Sequence, residues 1–340
     1  MFIDDSKKII FIFPSKILGG HELMALEIIK NLRTKNISVA VNSNNKNLID
    51  LLNENYQVMS LPYLQPKGEI FHSFFNYYLR NKAAVFFNTI KNEFDKIILV
   101  QGDIESGSIL LNTAFIEKIE VISYLPYAHS ACLMKRPLAF PREFLSGILY
   151  KRNNNYITIS DSAKKDILKY NNKANIEIYK NKIRNLTDII NKRKAFVLNY
   201  SNRLFKIFII GRVSFHQKGH DTLINALAQL EHSVLKKIEL NVIGDGDDLH
   251  KLRHLITKLL PQINVVFHGW MGEPWVEAYK ADLLVIPSRF EGVPLVMLEA
   301  LELNIDVVAT ARDGMLDYLP KSNLFTNESE LAHLIKMRVK

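Results

Sequence analysis

The sequence predicts an α/β protein made of two doubly wound parallel sheets, and three observations carry that prediction. Short β-rich runs alternate with helical patterns along most of the chain, which puts the strands in parallel sheets covered by helices on both faces. The alternation breaks once, over the polar, Asn- and Lys-rich stretch 171–203, and then restarts. The 340 residues suffice for two units, each large enough to bury its own core. The domains expected are therefore 1–170 and 171–340.

In order, KIIFIF at 8–13 reads as the first strand, closed by Pro14 and a loop ending in Gly19 and Gly20. HELMALEIIKNLRTK then carries apolar residues at helical spacing. ISVAVNS at 37–43, KIILVQG at 96–102 and EVISYLPYAHS at 120–130 are the next strands, and NYITISDSAKKDILKY at 155–170 closes the unit. The second unit opens with FKIFIIGR at 205–212 and a helix from about His220. IELNVIGDGD at 238–247, a helix through 248–260, NVVFHGW at 264–270, ADLLVIPS at 281–288 and IDVVATA at 305–311 complete it. Ligands of such sheets bind at the carboxyl ends of the strands, so the loops there are the ones to read for chemistry.

Composition limits the function classes. The hydrophobic fraction of 48% and the thorough mixing of charge describe a globular protein, and the Asn/Lys patches at 42–47 and 153–155 are too short for disordered arms. The single cysteine, Cys132, excludes a disulfide framework within the chain and suits a reducing cytosol. The start MFIDDSKKIIFIFPS has two aspartates ahead of its short apolar run and no small-residue cleavage site, which argues against a leader. No uncharged stretch approaches the length of a membrane span. A net charge of +9 favours an anionic partner: nucleic acid, an acidic membrane or a phosphorylated ligand.

Four strand-end loops of the second unit carry the candidate residues. In SRFEGVPLVMLEAL, 288–301, Pro294 suits a first helical turn, and the N–H groups of Gly292, Val293, Leu295 and Val296 at such a start favour a phosphate. Glu291 at the rim would repel that phosphate, so it is better placed to accept from neutral hydroxyls. Glu299 lies roughly 7–8 Å further along the helix, an offset that suits a sugar beyond the phosphate. Taken alone, the two carboxylates fit ordinary loop and helix positions equally well. GRVSFHQKG, 211–219, tips the balance: Arg212 and Lys218 on one strand-to-helix loop can hold a diphosphate and neutralise it as a leaving group. VIGDGDDL, 242–249, has Gly244 and Gly246 for close backbone approach but lacks a dinucleotide glycine pattern. In FHGWM, 267–271, the backbone of Gly269 to Met271 can read a base edge, with Trp270 either beside it or simply a packed aromatic.

These pieces together resemble the retaining, nucleotide-sugar-dependent glycosyltransferases of family 4. The resemblance rests on the Arg and Lys of GRVSFHQKG, on VIGDGDD, on VVFHGWM, and on the two glutamates of EGVPLVMLE. GGHE at 19–22 and LPYAHS at 125–130 extend it into the first half. It implies the GT-B fold, two facing Rossmann-like domains with an interdomain cleft, the first for the acceptor and the second for the donor. Arg212 and Lys218 would bind the donor diphosphate, Glu299 the ribose, and Glu291 the donor sugar and the start of the phosphate loop. His129, by itself more readily a hydrogen-bonded structural histidine, would lie near the transferred sugar, and Gly19 and Gly20 would let the first loop approach the diphosphate. Where the family has Gly and then Pro after the glutamate helix, this chain has LNIDVV. Asn304 can supply the left-handed helix end in place of Gly.

The resemblance implies transfer of a hexosyl-type unit from a UDP- or GDP-sugar to a hydroxyl of a glycan or lipid-linked glycan, with retention, in bacterial surface polysaccharide or lipopolysaccharide synthesis. No cofactor is expected and no metal, because two cations already face the diphosphate. Residues 129–152 interleave Lys135, Arg136, Arg142, Lys151 and Arg152 with Leu133, Met134, Phe140, Phe144 and Leu145, a pattern that suits either an anionic membrane surface or an ordinary amphipathic helix. The location expected is the cytoplasm, with a peripheral place on the cytoplasmic face of the inner membrane left open. No nucleic-acid module or clustered basic stripe is present, so nucleic acid is not an expected partner. An epimerase or hydrolase acting on a nucleotide sugar and a non-catalytic anion-binding protein are the alternatives.

Overall fold

The structure, a computed structural model, describes residues 7–32, 36–53, 55–198 and 203–339. Of the residues on which the absence of a leader was judged, 1–6 lie outside these, as do 199–202 of the polar stretch and Lys340. The chain divides into two compact units, Met1–Lys182 and Ile183–Lys340.

The first unit holds a parallel sheet of seven strands: β1 (Ile9–Phe13), β2 (Ile37–Val41), β3 (Gln57–Ser60), β4 (Lys96–Val100), β5 (Ile122–Tyr124), β6 (Asn155–Thr158) and β7 (Asn175–Ile178). Their order is β3-β2-β1-β4-β5-β6-β7. All five side chains of β1 are buried, as a central strand covered on both faces requires. The boundary expected at 170/171 moves to 182/183 because β7 pairs with β6, Asn175 opposite Asn155. The signal for β7 was weak: a four-residue edge strand whose side chains are exposed or half-buried shows no apolar alternation. β3 escaped the sequence reading for the same reason. Helices Glu69–Phe75, Tyr77–Ile90 and Ala139–Arg152 pack against the buried helix Ser108–Ile116. The start of that last helix is held by a buried carboxylate, since the N–H groups of Gly107 and Ile109 donate to Glu69 at 2.9 and 3.3 Å.

The second unit has six parallel strands: β8 (Phe205–Ile210), β9 (Ile238–Ile243), β10 (Asn264–Gly269), β11 (Leu283–Ile286), β12 (Asp306–Thr310) and β13 (Leu324–Phe325). Their order is β10-β9-β8-β11-β12-β13. The five strands expected are present, and two-residue β13 is the addition. Strand order reverses between β8 and β11, as it does between β1 and β4 in the first unit, and each reversal opens a crevice at the carboxyl edge of its own sheet. Helix Leu295–Glu302 follows β11, and Asn304 ends it at φ 52, with the Ile305 N–H donating to the Ala300 carbonyl at 2.9 Å. Among the described residues no helix is long and apolar enough to cross a membrane.

Candidate functional site

The crevice between β8 and β11 is assembled by bolting one loop onto another. Gly219 turns the β8 loop at φ 65, and a Cβ there would stand 2.1 Å from the Pro287 carbonyl oxygen, so only glycine allows the approach. Arg289 completes the joint with two bonds to the Asp221 carboxylate at 2.8 and 2.7 Å and a further bond to the Phe215 carbonyl. Its backbone N–H donates to Gln217 at 2.7 Å. The fork geometry of arginine suits this task, since it reaches a carboxylate bidentately and a carbonyl at once.

The result is that Lys218 meets Glu291. The ammonium pairs with one carboxylate oxygen, to which the Ser288 hydroxyl donates at 3.3 Å. The Glu291 N–H donates to Asp313 at 2.8 Å, and the Gly314 N–H to the Gly292 carbonyl at 3.0 Å, so the loop after β12 holds the Gly292–Val293 turn. Arg212 stands on the same loop as Lys218 but does not join the pair, donating to Gln217 at 2.9 Å. One residue beyond Gly219, His220 is buried; burial first, and the Lys218 charge second, push its pKa down to about 4 and keep it neutral.

Glu299 is 2% exposed, so it does not lie on a solvated face of its helix. A buried carboxylate requires donors. Trp275 supplies one through its indole N–H at 2.7 Å, and the Nε of Arg184 supplies the other at 2.7 Å. Arg184 also reaches Glu273 at 2.9 Å and the Gly272 carbonyl at 3.4 Å. Burial opposes the guanidinium charge, but Glu299 and then Glu273 outweigh it and raise the Arg184 pKa. The sequence reading missed Arg184 and Trp275. An acid inside an apolar helix and a tryptophan at the start of a short helix both need partners, and that shared need was the available signal.

Gly244 and Gly246 pack closely against protein backbone. A Cβ on Gly244, at φ 145, would lie 1.9 Å from the Gly211 carbonyl oxygen, and one on Gly246 2.4 Å from that of Val213. Here the glycines let the β9 loop lie against the β8 loop. At the end of β10, Trp270 is 77% exposed and Met271 half-buried. Leu295 opens the helix after Pro294, and Val293 is buried in the turn before it.

Gly19, Gly20 and His129 belong to the first unit. The Gly19 N–H donates to buried Glu22 at 2.7 Å, whose other oxygen lies 2.7 Å from the His21 ring. Gly20 begins the following helix, and a Cβ there would meet nothing within 4 Å. His129, past β5, is buried and stacked on Tyr127 with ring centroids 4.6 Å apart. The bases of 129–152 divide: Arg136 pairs with Asp103 and Glu105, Arg142 with Glu105, and Arg152 donates to Asn112, while Lys135 and Lys151 are exposed. Phe140 and Phe144 are 84% and 71% exposed. Among the described residues no group of three or more His, Cys, Asp or Glu converges as a metal site requires.

Chemically, the second unit's crevice offers cations beside a helix start, an acid at the rim and a buried acid below, a set that suits an anion carrying hydroxyls. Residues 198–324 match the model of the family described as glycosyl transferases group 1. The lipopolysaccharide 1,6-galactosyltransferase of Escherichia coli K12 is 31% identical over 105 residues, covering 29% of this chain and 28% of that protein. The O-antigen biosynthesis glycosyltransferase WclY of Escherichia coli is 32% identical over 164 residues, covering 48% and 42%. The matched stretches thus span between 25% and 42% of the lengths of the curated relatives. The crystal structure of Anabaena Alr3699/HepE in complex with UDP and glucose superposes with a TM-score of 0.72 over 98% of this chain and 90% of that one, at 20% identity. That likeness shows the fold, which is GT-B.

Proposed function

We propose that this chain, whose residues 198–324 belong to the glycosyl transferases group 1 family, is a retaining glycosyltransferase that moves a hexosyl-type unit from a UDP- or GDP-sugar to a hydroxyl of a surface glycan or its lipid-linked precursor. One observation carries the reading: Lys218 and Glu291, from the loops after β8 and β11, meet at the strand reversal, and the buried acid Glu299 lies on the helix that starts there. The names of the relatives, lipopolysaccharide and O-antigen transferases, support the substrate class.

Arg212 and Lys218 take the donor diphosphate in this reading, Glu299 the ribose hydroxyls, and Glu291 the sugar hydroxyls. The bond from the anomeric carbon to the diphosphate breaks as the acceptor oxygen bonds to the same face, and the departing phosphate oxygen takes the acceptor's proton. The cations stabilise the charge that develops on that oxygen, so no metal is required. The test is calorimetric titration of UDP and GDP in EDTA. One of them binds, and Lys218→Ala weakens it about 10- to 100-fold, the worth of a charge-assisted hydrogen bond. Binding of neither would sink the reading, and binding lost only to EDTA would put a metal in the site.

The acceptor side of the proposal adds an anionic membrane surface, supported by exposed Phe140 and Phe144, four residues apart on helix Ala139–Arg152. Co-sedimentation is expected with anionic vesicles and not with neutral ones; equal recovery with both removes the membrane from the reading.

A further inference from the structure

Glu299 has the burial of a core residue, although the reading above, on which this inference rests, requires it to bind ribose. With 2% exposure its carboxylate is beyond the reach of a diol until one of its two partners withdraws. Trp275 is not that partner, because its ring is among the most fully buried side chains, at 1%. Arg184 is the opposite case. Its side chain is 38% exposed, and it sits on the stretch 179–186, which forms neither helix nor strand. It also holds a second carboxylate, since its Nη1 lies 2.9 Å from Glu273, whose side chain is 70% exposed. An arginine that leaves Glu299 therefore keeps an ion pair and regains water.

We propose that Arg184 occupies the place of the donor's ribose diol on Glu299, and that donor binding transfers the guanidinium to Glu273. Arg184 then sets selectivity. A ligand without vicinal hydroxyls has nothing to offer Glu299 in exchange for the guanidinium, so it binds through the diphosphate loops alone. A ribonucleotide can make the exchange, and its apparent affinity is lowered by the fraction of molecules in which Arg184 is still in place. Trp275 stays on the second oxygen throughout and keeps the carboxylate aimed at the diol.

The experiment compares the ribonucleoside diphosphate that binds, UDP or GDP, with its 2′,3′-dideoxy analogue and with inorganic pyrophosphate, by calorimetry on the full chain. Arg184→Ala is expected to bind the ribonucleotide about three- to tenfold more tightly, the scale of a partly exposed ion pair, with the other two probes unchanged. Glu273→Gln is a surface change that leaves the fold intact and removes the receiving carboxylate. It is expected to weaken the ribonucleotide about two- to fivefold and leave the dideoxy analogue alone. Ribonucleotide binding that is unchanged or weaker in Arg184→Ala, with wild-type binding intact, overturns the exchange and makes Arg184 a support for Glu299. Binding of neither nucleotide to the wild type overturns the donor site itself, a different result from the first.

Discussion

The two units treat the carboxylates on their strand-end loops differently. In the first, Asp103, Arg136, Glu105 and Arg142 close a network in which Arg136 and Glu105 each have two partners, so freeing Glu105 breaks two ion pairs. In the second, Glu291 and Glu299 are each held by one cation, Lys218 and Arg184. A ligand bringing phosphate or hydroxyls can exchange with a single cation at low cost, because every charge it uncovers finds a new partner. The loops differ as well. The second unit packs loop on loop through glycines that face backbone carbonyls, whereas Gly20 in the first faces open space. Similar sheets thus carry one edge whose acids share an ion-pair network and another whose acids Glu291 and Glu299 each have one cation.

The largest effect expected from this contrast separates two glycines. Gly244→Ala puts a Cβ 1.9 Å from a backbone oxygen at a φ that side chains rarely adopt, and should cost about 3–5 kcal/mol. Gly20→Ala should stay within about 0.5 kcal/mol of wild type, since it meets nothing and its backbone is ordinary. Chemical denaturation of the full chain measures both, and comparable losses would show that the second unit's loops are not packed as described.

A smaller effect concerns buried titrating groups, and its sign differs between the units. Burial pushes the Glu69 carboxyl up to about 7, against hydrogen bonds from Gln65, Gly107 and Ile109 that lower it. Its folded-state value exceeds the ordinary one, so its contribution to stability is complete below the unfolded pKa and is lost as pH rises through about 7. His220, pushed down to about 4, contributes stability above its unfolded pKa that is lost as pH falls through about 4. Between pH 6.5 and 4.5 the first unit should therefore gain about 1–2 kcal/mol from Glu69, and the second should lose a similar amount from His220. Amide hydrogen exchange in β1 and β8 reads the two separately. Glu69→Gln should abolish the first slope and His220→Gln the second; slopes that survive these changes arise from other groups.

Much of the fold was legible because each central strand is an apolar run between turn residues, as in IIFIF of β1 and LLVI of β11. The edge strands β3, β7 and β13 were not legible, since β3 and β7 are short with little burial and β13, although Phe325 is buried, has only two residues, too few for a pattern. In the site, Lys218 and Glu291 were read on separate strand-end loops, but not as partners, and Asn304 took the left-handed end that its side chain permits. Gly244 and Gly246 were read as glycines that admit a close approach, but which backbone approaches them is a fact of three dimensions.

By itself, then, the sequence determined the alternation of strand and helix, the restart that makes two units, and the side-chain types on each strand-end loop. These are local properties, decided by periodicity, turn chemistry and charge within a few residues. Only the tertiary structure decided the partners: Arg289 on Asp221, Asp313 beneath Glu291, and Arg184 with Trp275 on Glu299. Arg184 and Glu299 stand 115 positions apart, and no local rule relates them. They meet because a carboxylate buried by helix packing must find its donors wherever the fold brings them.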